Sequence, residues 1–218
     1  MIRSVFLFLI FTYFPFASVY GVVYISLGGS CWPAIHLRNF GLRTQAYPFD
    51  WIMTMHDDLY NVLEDDFEFF LTDWKLRPNQ NDVINYYGIP FTHDWVTTEF
   101  HDEDVIDFRT VSYEGWETSC PSVHAKYQRR IERFRSACLG QEKVVFVRAE
   151  FVTQAQSVIL RDFFRIKYPA LDFILVVIKD DESFETPWGI DRVKNFRCDI
   201  YDEKSWENIF KVLLPNEL

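Results

Sequence analysis

The chain has 218 residues, enough for one full domain and too few for two comfortable ones. It is 49% hydrophobic, with 22 Phe and 7 Trp, so a core can be buried without disulfide staples. Its 22 basic and 32 acidic residues give a net charge of −10, which excludes a general nucleic-acid binder, because neutralising phosphates needs a basic face.

Met1 to Gly21 reads as a secretory signal: Arg3 precedes an apolar run from Val5 to Phe16, and Val19 and Gly21 suit the −3 and −1 positions of a cut. The run is too short for a spanning helix. The expectation is a signal peptide over 1–21, a secreted or periplasmic α/β domain over 22–218, and membrane contact only if residues 4–20 remain as an uncleaved anchor. Four cysteines remain: Cys31, Cys120, Cys138 and Cys198. Their spacing fits no zinc pattern, and no cofactor is implied. Export would permit a Cys120–Cys138 or Cys138–Cys198 bridge, but four cysteines also fit ordinary burial, expected for the last three.

Val22 to Ile25 is a run of β-formers, apolar on both faces, followed by the turn Ser26-Leu27-Gly28-Gly29-Ser30. After Cys31, Pro33 suits a first helical turn and Gly41 a helix stop. A second helix is predicted from Thr54 as N-cap, with Leu59, Val62, Leu63, Phe67 and Phe70 in period. Tyr86 to Phe91 suggests a strand interrupted by Gly88 and Pro90, and Val105 to Val111 another. Pro121 opens a helix with an apolar stripe at Val123, Tyr127, Ile131, Phe134 and Cys138, closed by Gly140; Lys126, Arg129, Arg130, Arg133 and Arg135 around it read as surface. Strands at 143–148, 173–178 and 193–200 then alternate with helices at 153–167 and 205–214, the former with Val158, Ile159, Phe163 and Ile166 inward. This order predicts a largely parallel sheet with helices on both faces. Ligands in such sheets sit beyond the carboxyl ends of the strands, which points to Gly28–Cys31, Arg148–Glu150 and Lys179–Glu182 as one rim.

Cys31 lies between a strand and a helix start, where the helix field lowers a thiol pKa and backbone N–H groups can serve as an oxyanion pocket. The structural alternative is a small residue at a crowded turn. A nucleophilic thiol needs a base. His93 fits best by context, because His36 points to a different helix face and His56, His101 and His124 lie among charges or on a surface helix. Asp50, between Phe49 and Trp51, is the expected orienter, although pairing with Arg38, Arg43 or backbone N–H groups as a loop clamp is an equal alternative. Asp94 faces away from His93 in an extended segment and is grouped with Gly28, Gly29, Arg38 and Arg148 as a substrate contact.

The blocks Ser26-Leu27-Gly28-x-x-Cys31, Leu37-Arg38-x-x-Gly41-Leu42-Arg43, Pro48-Phe49-Asp50-Trp51, Phe91-x-His93-Asp94-Trp95 and Val145-Phe146-Val147-Arg148 resemble a bacterial domain family of unknown function labelled "putative papain-like cysteine peptidase". The resemblance implies Cys31 as nucleophile, His93 as its base, and a peptide or other amide or ester substrate. It departs from papain itself: no glutamine precedes Cys31 at papain's spacing, Asp50 comes before the histidine rather than after it, and the strand–helix alternation is not a papain barrel half. Two other readings stay open. One is a glycan- or nucleotide-handling α/β transferase using the Gly28-Gly29 turn and the arginines; the other is a non-catalytic effector or binding protein.

Overall fold

A computed structural model of the chain describes residues 21–77, 82–94 and 116–213. The signal-like segment 1–20 and the strand expected at 105–111 lie outside the described residues. Four strands, β1 (Val22–Ser26), β4 (Lys143–Ala149), β5 (Phe173–Lys179) and β6 (Val193–Arg197), form one parallel sheet in the order β1-β4-β5-β6. Alternate residues of β1, β4 and β5 feed two separate cores, so most positions of these strands are apolar, whereas the edge strand β6 carries Lys194, Asn195 and Arg197. On one face Ile25, Val144, Phe146, Leu175 and Val177 pack against α2 (His56–Glu64), α3 (Cys120–Leu139) and α4 (Gln154–Lys167). On the other, Tyr24, Val145, Val147, Val176 and Ile178 pack against α1 (Trp32–Asn39) and α5 (Glu203–Leu213). The expected α/β architecture with helices on both faces is the one found. A short antiparallel pair, β2 (Lys75–Leu76) and β3 (Val83–Ile84), stands apart from it.

The local stops are where the residue chemistry puts them. Gly41, with φ +68°, ends α1: its N–H donates to Arg38 O and the Leu42 N–H to Leu37 O, the paired bonds of a left-handed C-terminal cap. Thr153 caps α4 reciprocally with Gln156.

Four expectations are corrected. The N-cap of α2 is Met55, whose N–H is met by the Asp58 carboxylate, because the Thr54 hydroxyl is engaged elsewhere. That helix ends at Glu64; left-handed Asp66 and Phe67 turn the chain, and Phe67 and Phe70 reach the core from the turn. Segment 86–91 is a tight reversal around Gly88, clamped by Asn85, whose amide oxygen accepts from the Tyr87 and Ile89 N–H groups. The buried side of α4 runs through Ser157, Leu160 and Phe164, leaving Ile166 81% exposed. With six apolar residues between 158 and 166, two helix faces competed, and the ring stack of Phe164 on Phe146 at 4.2 Å decides between them.

All four cysteines are free. Cys120 and Cys138 sit at opposite ends of one helix, about 27 Å apart by helical rise, and cannot bridge. Cys138 and Cys198 belong to the cores on opposite faces of the sheet.

Candidate active site

Parallel pairing aligns the carboxyl ends of β1, β4 and β5: Ser26 is paired with Val147 and Ala149 with Ile178. The chain leaving β1 stays on this rim, with the Leu27 N–H donating to Val147 O at 2.8 Å and the Ala149 N–H to Gly28 O at 3.4 Å. Two glycines make that course sterically allowed. Gly28 has φ +69°, and a Cβ there would lie 3.0 Å from Thr54 Oγ1 and 3.2 Å from two carbonyl oxygens. Gly29 has φ +88°, and its Cβ would lie 1.8 Å from Ala149 O. Their N–H groups are engaged, Gly28 with Ser26 Oγ and Gly29 with Thr54 Oγ1. The turn therefore has a packing role, and it is not presented as an open phosphate cradle.

Cys31 occupies the N-cap of α1, where its carbonyl accepts from the Ile35 N–H at 3.1 Å. It is half-buried against a small cluster of Ala34, Ile35 and Trp51. Burial pushes its thiol pKa up, its own backbone N–H pulls it down, and the Glu150 carboxylate pushes it up again, with a net rise. The helix start thus does not leave the thiol acidic in this state, contrary to the lowering expected from position alone.

Arg148 is fully buried on the face of α2. Its guanidinium donates to Leu27 O, Thr54 O, Thr54 Oγ1 and Phe151 O at 2.7 to 3.3 Å. Burial lowers its pKa to about 10, and Asp58 partly opposes this. It staples the β1 turn to the 52–56 segment, which places its charge among protein carbonyls. Asp50 is also fully buried, paired with Arg43 and accepting from the Tyr47 N–H at 2.9 Å. Burial raises its carboxyl, while Arg43, the field of Arg130 and the Tyr47 N–H pull it back. Of the two roles open to Asp50, this geometry is the loop clamp. Arg43 and Arg38 both stack over Trp51, at 5.1 and 5.7 Å from the ring centre.

His93 lies in a turn ahead of Asp94. Asp94 pairs with Lys126 and accepts from Tyr127 Oη at 2.7 Å, both on α3. Burial works to raise its carboxyl, but Lys126, Arg130 and the two hydrogen bonds outweigh it and hold it below the usual range. Arg130, itself 1% exposed, acts electrostatically on both Asp50 and Asp94.

The family profile described as "Putative papain-like cysteine peptidase (DUF1796)" matches residues 22–183, a span that includes Cys31, Asp50, His93 and Arg148. The chain belongs to this family. It is also similar to "Uncharacterized protein R408" of Acanthamoeba polyphaga mimivirus, with 28% identity over 151 residues, 59% of this chain and 62% of that protein. The chain thus spans less than two thirds of that relative's length. No solved structure matches. The relative is viral, so these matches carry no bacterial attribution.

Within the family frame, three residues matter that the sequence reading gave another place: Thr54, Arg130 and His56. Thr54 is the hub between Gly29 and Arg148. Arg130 was counted with surface charges. Glu150, on the rim where the sequence places it, adds a smaller electrostatic push to the thiol pKa than burial does. His56, expected among exposed charges, is 6% exposed at the start of α2; burial first, then Arg148, lowers its pKa. The signal for Arg130 was present: it falls beside the apolar stripe of α3, next to Ile131. Among the described residues, no three His, Cys, Asp or Glu side chains gather as a metal site.

Proposed function

We propose that this chain is a thiol hydrolase or acyltransferase acting on a peptide or related amide or ester, with Cys31 as nucleophile and His93 as its base. The observation that carries the reading is the position of Cys31, at the helix start on the carboxyl rim of the sheet, inside the span of the peptidase-labelled family match. The sulfur gives its proton to the imidazole and attacks the carbonyl carbon. The C–N or C–O bond breaks, the leaving group takes that proton, and water or another acceptor then cleaves the thioester. N–H groups at the start of α1 are suited to the developing oxyanion. Asp94, anchored by α3, fixes the turn that carries His93. Asp50 holds the loop that supports Trp51.

The test is Cys31→Ala, treated with a thiol-directed covalent probe in the folded state and assayed on a fluorogenic peptide library. Mass analysis locates the label, since Cys120 is also half-buried. Loss of both labelling at residue 31 and hydrolysis is expected; equal hydrolysis by both proteins removes the reading. His93→Ala and His56→Ala, compared at several pH values, identify the base. The transferase reading is disfavoured because the Gly28 and Gly29 N–H groups and the Arg148 guanidinium already have protein partners. Export after residue 21 belongs to the same proposal, and a mature N-terminus elsewhere than Val22 would count against it.

A further inference from the structure

Tyr127, fully buried on α3, holds the turn that carries His93 from both sides. Two residues before the histidine, the buried Phe91 ring lies 5.0 Å from the Tyr127 ring and nearly perpendicular to it. One residue after it, the Asp94 carboxylate accepts from Tyr127 Oη at 2.7 Å. Lys126, the preceding residue of α3, pairs with the other carboxylate oxygen. His93 sits half-buried in the turn between these anchors.

The two anchors differ in kind. Phe91 is fixed from several directions: its ring also meets Trp74 at 4.7 Å and Phe70 at 5.5 Å, and its N–H donates to Val83 O at 2.9 Å. Asp94 turns inward, with its side chain 2% exposed, onto two adjacent residues of α3. The Tyr127 contacts with Phe70 and Phe91 would be made equally well by a phenylalanine, so packing alone does not ask for the hydroxyl. Burying that hydroxyl is costly unless it is bonded, and its bond goes to Asp94. A buried carboxylate tied in this way adds little stability over an apolar pair of the same shape. What it supplies is one geometry. Neighbouring Cα atoms are about 3.8 Å apart, so holding the residues at both ends of this short span leaves the imidazole few places from which to start.

We propose, resting on His93 as the base of the Cys31 reaction, that Tyr127 is a positioning residue: its ring and its hydroxyl together fix the backbone on either side of His93 and so present the imidazole in one orientation. The hydroxyl stays bonded to Asp94 and exchanges no proton with the reacting groups. Lys126 supports the same carboxylate more weakly, because its side chain is 25% exposed and water screens its charge.

The test is Tyr127→Phe, which keeps the ring and removes the hydroxyl. The probe is iodoacetamide, and the rate of carboxamidomethylation at Cys31 is read by peptide mass from about pH 5 to about pH 9, the range in which imidazoles and thiols titrate. Each protein is assayed well below its melting temperature. His93→Ala should slow the reaction at neutral pH by about tenfold or more and move the profile to higher pH, as for a thiol deprived of its base. Tyr127→Phe should move the profile in the same direction, with a loss of about threefold to tenfold, and Lys126→Met by about twofold. In a His93→Ala background, Tyr127→Phe should cause no further loss, because the hydroxyl acts only through the imidazole. A shifted profile in His93→Ala with an unchanged one in Tyr127→Phe overturns the positioning role and leaves the base in place. A full additional loss in the His93→Ala background overturns it too, since the hydroxyl would then serve the fold at large. An unchanged profile in His93→Ala removes the base, and this proposal with it.

Discussion

Replacing Asp50 by alanine separates the clamp seen in the structure from the orienting role its sequence context suggested. The carboxylate has no exposure, is bonded to Arg43, whose side chain is 1% exposed, and accepts the Tyr47 N–H. Its removal takes the Asp50 carboxylate away from a desolvated guanidinium and leaves the buried Tyr47 N–H without its acceptor. Breaking a buried pair from one side costs about 3 to 5 kcal/mol. Against a total stability of about 5 to 15 kcal/mol, that is a large share. Urea unfolding followed by tryptophan fluorescence should show the unfolding free energy fall by that amount, through a lower midpoint at unchanged slope. The double change Arg43→Met with Asp50→Leu should recover more than half of the loss, since an apolar pair carries no unmet charge. Cys31 labelling in the folded fraction should stay within a few-fold of wild type. A loss below about 1 kcal/mol with labelling abolished would refute this account and return Asp50 to the catalytic group.

Two further outcomes follow from the geometry. His36 stacks between Trp32 and Trp206 and donates Nε2–H to Ile200 O at 3.1 Å; burial lowers its pKa, with Ile200 O, Glu203 and Asp202 partly opposing. A pKa depressed in the folded state gives stability that is complete above the unfolded value of about 6.5 and is lost as pH falls through the folded one. The urea midpoint should therefore drop between pH 7 and pH 5, and His36→Phe should flatten part of that drop; parallel profiles for the two proteins would contradict the assignment. Gly29→Ala should cost about 2 to 4 kcal/mol, combining left-handed strain with overlap on Ala149 O, whereas Gly41→Ala, also left-handed but facing open space, should cost only about 1 to 2. Equal losses in thermal melts would show that the crowding at Gly29 does not limit the rim.

Much of the scaffold is legible in local pattern. Doubly apolar runs such as Val144–Val147 and Leu175–Ile178, separated by helical periods, leave few arrangements other than a parallel sheet covered on both faces. Gly41 and Thr153 announce the ends of their helices because their chemistry is local. Long-range electrostatics gives no such signal. Arg130 and Arg135 are alike in sequence, yet one is buried and acts on Asp50 and Asp94 through its field, while the other holds the Asp66 turn from the half-exposed side of α3. Thr54 reads as a helix cap until Arg148 and Gly29 are seen to compete for its hydroxyl.

The sequence by itself determined the α/β class, the strands and helices that carry it, and the placing of Cys31 at a glycine-led helix start, because these follow from period, propensity and steric need over a few residues. Only the tertiary structure decided which charges are buried, and that Asp50 and Arg148 are held by protein partners. Those depend on which segments meet across the rim, and a guanidinium's partner can lie more than a hundred residues away.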